Sequence, residues 1–236
     1  MVRTLLIRGM LVGILAGLLA FAFAKAFGEN PIDIAIAFEE VMAKAHGEQP
    51  EPEIVSREIQ STLGLLTAVV VYGTALGGLF SLVFAYAYGR IGSLTPRVTS
   101  ALLAGGAFLT LVIVPMIKYP ANPPSIGDSD TIGVRTALFT IMIVLSVLAL
   151  MIAATVGRKM AARMNSWNAA LVGGLVFIVL IAAVQILLPS VNEVPDEFPA
   201  VTLWQFRVAS IGIQAILWTT IGLAFGASAE KILAKS

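Results

Sequence analysis

Six stretches of this chain are apolar for about twenty residues each, and the polar residues collect in the segments between them. The stretches run roughly over 5–24, 62–88, 98–117, 136–156, 168–188 and 208–227. About twenty apolar residues in a helix match the thickness of a bilayer's hydrocarbon core. The pattern therefore predicts an all-α membrane protein with six transmembrane helices, read as one integral membrane domain over 1–236. Arg3 and Arg8 open the first stretch, and Ala22-Phe23-Ala24 resembles a cleavage site. Its apolar run is longer than the 7–15 residues of a secretory signal, so a retained helix is expected.

The only long polar segment, 28–60, carries a second helical pattern. Asn30 is placed to cap a helix, Pro31 to occupy its first position and Asp33 to sit in its first turn. Ile34, Phe38, Val41 and Met42 share one face, with Glu39, Glu40 and Lys44 turned away. An amphipathic outer helix over about 31–46 is expected, lying on the interface or on the bundle, with Gly47 as its stop. The stretch HGEQPEPE that follows holds too much proline and charge for a regular element.

Two further polar segments are stiffened by proline, KYPANPPSIGDSD at 118–130 and PSVNEVPDEFPA at 189–200. Proline fixes φ and removes a backbone donor, so neither segment extends a flanking helix. Arg57, Arg135 and Arg207 each stand just before a span. ALLAGG and AALVGG, at 101–106 and 169–174, each open a span that leads into a proline loop. This periodicity predicts three antiparallel hairpins in tandem.

The charges divide by side. Arg3, Arg8, Arg90, Arg97, Arg158, Lys159, Arg163, Lys231 and Lys235 fall on one side, with Glu230 as its only acid. By the positive-inside rule that side is cytoplasmic and holds both termini. Thirteen acids lie on the other side, so the proline loops and 28–60 are expected outside a cytoplasmic membrane.

Charged residues are 12% of the chain, about half the share in a soluble domain. Cysteine is absent and His46 is the only histidine. That excludes thiolate metal sites, and no nucleophile–base constellation of the common kinds can be assembled, so no enzyme is expected. No Asp, Glu, Lys, Arg or His occupies the centre of a span, although such residues usually mark ion pathways. Tyr72, Thr74, Ser81, Ser146, Gln185 and Gln214 are the polar groups left there. They read first as interhelical hydrogen-bonding residues, with Gln185 and Gln214 the candidates for lining a path. Small-residue series such as Gly9, Gly13, Gly17 and Gly73, Gly77 allow close helix packing. They would serve within the chain, against another membrane subunit, or in a homo-oligomer.

Candidate ligands therefore sit in the loops. Asn122, Asp128 and Asp130 in one, and Asn192, Glu193 and Asp196 in the other, offer oxygen donors suited to hard or borderline divalent cations. His46, among Glu48, Glu51 and Glu53, would supply a nitrogen. Lys118, Arg135 and Arg207 lie at the same level, so pairs such as Arg135 with Asp130 or Arg207 with Glu193 would compete for these carboxylates.

KYPANPP followed by RTAL at 135–138, and NEVPDEFPA followed by LWQFR at 203–207, resemble the CbtA family of predicted cobalt transporter subunits. The resemblance spans essentially the whole chain. It implies a membrane subunit of a divalent metal importer linked to cobalt supply for cobalamin synthesis, with Co²⁺ or Ni²⁺ as cargo and no permanently bound cofactor. It also implies a small single-span, histidine-bearing CbtB-like partner, and no nucleic acid. Carried onto this chain, it picks out Lys118, Pro120, Asn122, Pro123, Arg135, Asn192, Glu193, Pro195, Pro199, Trp204 and Arg207. The other reading is a non-transporting scaffold for a partner protein.

Overall fold

In the computed structural model the residues described are 1–45, 47, 54–124 and 126–234. Among them every regular element is helical. Six helices are long and apolar enough to cross a membrane: α1 Val2–Ala45, α2 Arg57–Ala87, α3 Pro96–Lys118, α4 Ser129–Ala161, α5 Ser166–Leu187 and α6 Ala200–Leu233. Each contains one stretch that the hydrophobic pattern marks as a span. The chain is an all-helical, multi-pass membrane protein.

The chain divides into two compact units. One comprises Met1–Phe108, Asn122–Ser125 and Asp196–Ser236; the other comprises Leu109–Ala121 and Ile126–Pro195. α3 is thus shared between them, changing unit after Phe108.

In the first unit α1 and α2 pack antiparallel through glycine. Gly9 lies against the Gly77 carbonyl, Gly13 against the Gly73 carbonyl, and Gly17 against Val70. A methyl group at Gly9, Gly13 or Gly77 would collide with the opposing backbone. Apolar side chains gain little by exchanging lipid for protein, so this close backbone contact supplies the attraction. Farther along α2, Phe80 and Phe84 meet Phe225 of α6 edge-to-face, with centroids 5.6 and 5.2 Å apart. Such quadrupole contacts add to simple burial. The start of α3 is capped by Thr95, whose hydroxyl accepts from the Val98 amide, with Pro96 at the first position. α3 then leans on α6: Ser100 donates to the Gly222 carbonyl at 2.7 Å, and Arg97 pairs with Glu230 at 2.7 Å.

In the second unit α4 packs on α5, close at their inter-helix turn because Gly157 meets Ala169 and Gly173. Val114 of α3, Met142 and Ala149 of α4, and Ile181 of α5 form the core. Met142 is fully buried there, the packing role its softness suits.

The arrangement differs from the sequence pattern in two ways. The pattern predicts a separate amphipathic helix capped at Asn30. Instead α1 continues unbroken to Ala45, with a wide π-helical turn at Ala24–Gly28 just ahead of Pro31. That turn lets the helix pass a proline that would otherwise break the hydrogen-bond ladder. The packed face of this extension is Pro31, Ala35 and Phe38, whose ring meets Phe198 at 5.1 Å; Ile34 and Val41 are exposed. Gly47 has the left-handed φ of +74° that a helix stop requires. Second, of the three predicted hairpins α1 with α2 is the one that lies whole within a single unit. α5 and α6 belong to different units, and α5 takes α4 as its partner. Hydrophobic period marks which residues are apolar, and every face of a span is apolar, so it does not choose neighbours.

Candidate functional site

The proline segments are fixed by side chains from the helix ends beside them, and each unit does this separately. In the second unit Glu193 is the centre. Its Oε1 accepts from the Thr131 hydroxyl at 2.6 Å, and its Oε2 accepts from the Asp128 amide at 2.9 Å. Arg135 stands beside it, Nε to Oε2 3.3 Å, while its Nη2 donates to the Asp128 carbonyl at 2.9 Å. Asp128 caps the start of α4 by accepting the Asp130 amide. Hydrogen bonds from Thr131 and Asp128, with help from the Arg135 charge, hold the Glu193 carboxyl below the ordinary 4.5. Gly127, at φ +119°, lets the chain turn against the Arg135 guanidinium, where no side chain would fit.

Lys118 closes the same unit from α3. Its ammonium donates to the Gln185 carbonyl at 2.8 Å and to the Ser190 hydroxyl at 3.2 Å. Tyr119 donates to the Pro189 carbonyl at 2.8 Å. Gln185, a sequence candidate for path lining, donates to the Val114 carbonyl at 3.3 Å and so ties α5 to α3.

In the first unit Arg207 donates to Asn122 Oδ1 at 2.9 Å. Pro123 is buried beside it, and Trp204 is exposed, as are Asp196 and Glu197. Gln214 is turned into this unit. Its Oε1 is buried without a hydrogen-bond partner, and so is the indole nitrogen of Trp218 one turn later.

A third arginine, Arg57, does for the first unit what Arg135 does for the second. It reaches Glu29 at 2.6 Å and Asp33 at 2.9 Å, one turn apart on α1. Lys25 on the Ala24–Gly28 π turn donates to the carbonyl and hydroxyl of Ser61, which lies on the matching π turn Gln60–Gly64 of α2. Glu29 is inconspicuous in the sequence because it sits beside an apparent cap. Its spacing of four from Asp33 was the available signal.

The expected competition for carboxylates is thus real, but Arg135 pairs with Glu193 and not with Asp130. Both Glu193 oxygens are engaged. Among the described residues, no group of three histidine or acidic side chains comes together to hold a metal ion. Asn192 is exposed, with its Oδ1 only 3.5 Å from the Val194 amide. Asp130 is exposed too. His46 and its neighbouring glutamates lie outside the described residues.

A family model described as probable cobalt transporter subunit (CbtA) matches residues 2–230. No curated protein and no solved structure matches the chain.

Proposed function

The chain belongs to the CbtA family of probable cobalt transporter subunits, and on that premise we propose that it is the permease-like membrane subunit of a divalent cation importer. The cargo is Co²⁺, with Ni²⁺ the near alternative in ligand preference. The proline loops receive the ion at the outer face of the cytoplasmic membrane, and both termini are cytoplasmic, as the basic residues direct.

One observation carries this reading. Glu193 and Arg135 hold a loop rigid while Asp130, in the same segment, keeps an exposed carboxylate. A fixed backbone with accessible oxygen donors suits brief capture and release of a hard or borderline cation. Asp128 and Asn192 supply further oxygens in the same unit, and Asp196 offers a separate exposed carboxylate in the first; His46 and a histidine-bearing single-span partner would supply nitrogen. Lys118 and Arg135 flank the loop of the second unit, and Trp204 and Arg207 flank that of the first. The unpartnered carbonyl oxygen of Gln214 supports a path-lining role for that residue.

The test is uptake of radiolabelled cobalt by cells lacking other importers, with and without this chain. Asp130→Asn with Asp196→Asn should cut uptake at least several-fold while membrane levels stay normal. Uptake that is independent of the chain would overturn the reading. The second reading, a scaffold for a partner, is favoured by the lack, among the described residues, of three histidine or acidic side chains grouped to hold an ion; it predicts that the chain governs a partner's abundance with no effect of either substitution.

A further inference from the structure

The chain passes between the two units four times: after Phe108, after Ala121, after Ser125 and after Pro195. Three of these crossings lie in the proline loops. There φ is restricted by Pro120, Pro123, Pro124 and Pro195, and side chains pin the flanks within each unit. Lys118 and Tyr119 are bound to α5 and the residues after it, Asn122 to Arg207, and Asp128 to Glu193. The fourth crossing is different. It falls inside α3 where the helix opens into the π-helical stretch Phe108–Ile113, with Pro115 just beyond.

The two halves of α3 are held by different partners. Before the stretch, Ser100 bonds the Gly222 carbonyl of α6. Within and after it, Ser146 of α4 donates to the Thr110 carbonyl, and Gln185 of α5 to the Val114 carbonyl. Ser146 also faces the Ile143 carbonyl at 2.8 Å. A hydroxyl has one proton, so the two acceptors compete for it. π turns carry fewer well-formed backbone bonds per residue than α turns, and with proline they are where helices change direction.

We propose that the π-helical stretch Phe108–Ile113 is a hinge between the two units, with Ser146 as the positioning residue that sets its resting form. The proline crossings are stiffened by their fixed φ, so the π-helical stretch is the crossing that yields. This gives the transport reading above its moving part, and it rests on that reading for its purpose only. The motion itself is measurable without cargo.

The chain has no cysteine, so spin labels can be placed freely. One pair, Ser93→Cys with Ser166→Cys, reports on the basic ends; a second, Val201→Cys with Ser129→Cys, reports on the proline-loop ends. In lipid nanodiscs, pulsed electron resonance should give a broad or two-peaked distance distribution for the first pair and a narrow one for the second. Ser146→Ala should shift the populations of the first pair alone, and Ser146→Thr, which keeps the hydroxyl, should restore them. If Ser146→Ala does not fold, Gln185→Leu takes its place. A single narrow distance for the first pair, unchanged by the folded variant, would overturn the hinge. Cobalt uptake measured on the same variants separates the two ideas. Shifting distances with no uptake in any form sink the transport reading and keep the hinge. Normal uptake with one rigid distance does the reverse.

Discussion

Arg135 and Glu193 stand 3.3 Å apart, Nε to Oε2, while the hydrogen bond that Arg135 makes goes instead to the Asp128 carbonyl. The arginine thus balances the carboxylate's charge and grips the loop backbone at once. Arg207 donates to the Asn122 side chain, and Arg57 pairs with Glu29 and Asp33, so an anchoring arginine stands at the other two helix starts as well. The tandem pattern of arginines in the sequence is a pattern of anchors.

Replacing Glu193 by Gln should lower the melting temperature of the purified protein more than replacing exposed Glu197 by Gln. Adding Arg135→Gln to Glu193→Gln should recover part of the loss, because the uncompensated guanidinium is then gone. Fully additive effects of the two changes would show that the pair is not coupled.

The same carboxyl makes loop stability depend on acid. Its folded value lies below the ordinary 4.5, so its contribution is fully present above that value and is lost as pH falls through the folded one. The stability difference between the native protein and Glu193→Gln should therefore be constant near neutrality and shrink below about pH 4.5. A difference that grows on acidification would contradict the assignment.

Gly127→Ala places a methyl where the Arg135 guanidinium sits, at a φ of +119° that alanine disfavours. Strain of this kind costs about 1–3 kcal/mol. Combined with Arg135→Ala, the glycine change should cost less than it does alone, which thermal denaturation of the double variant can check.

Gly13→Ala and Gly77→Ala should each destabilise the α1–α2 pair by at least the ~1–3 kcal/mol typical of overpacking, since their methyls would meet backbone. Gly174→Ala, whose methyl meets nothing within 4 Å, should be close to neutral. Denaturation in mild detergent gives the ranking, and equal losses at all three would refute the close-packing account.

Truncating Arg57 to Ala leaves Glu29 buried without its partner, whereas Lys44→Ala removes only an exposed pair with Glu40. The first should cost about 1–3 kcal/mol and the second under about 1 kcal/mol. Urea or thermal titration of the two variants measures the contrast.

The sequence by itself determined the six spans, because twenty apolar residues in water have no alternative to a bilayer or a core. It determined the turns as well, because proline and glycine restrict the backbone wherever they stand. It also marked Arg57, Arg135, Arg207 and the two proline loops, whose spacing is a local property of the chain. Which acid each arginine meets was decided only by tertiary structure. Glu193 is 58 residues from Arg135 in sequence, and Asp130 is nearer by far, yet it is Glu193 that stands beside the guanidinium. Helix neighbours were likewise undecided, since a span that is apolar on every face pairs by close backbone fit, and such fit at Gly13 and Gly73 exists only once both helices are in place. The π turn in α3 left no mark in the hydrophobic pattern. Nor did the bonds that Ser146 and Gln185 make to α3 carbonyls, because no periodicity along one helix records what a different helix will supply.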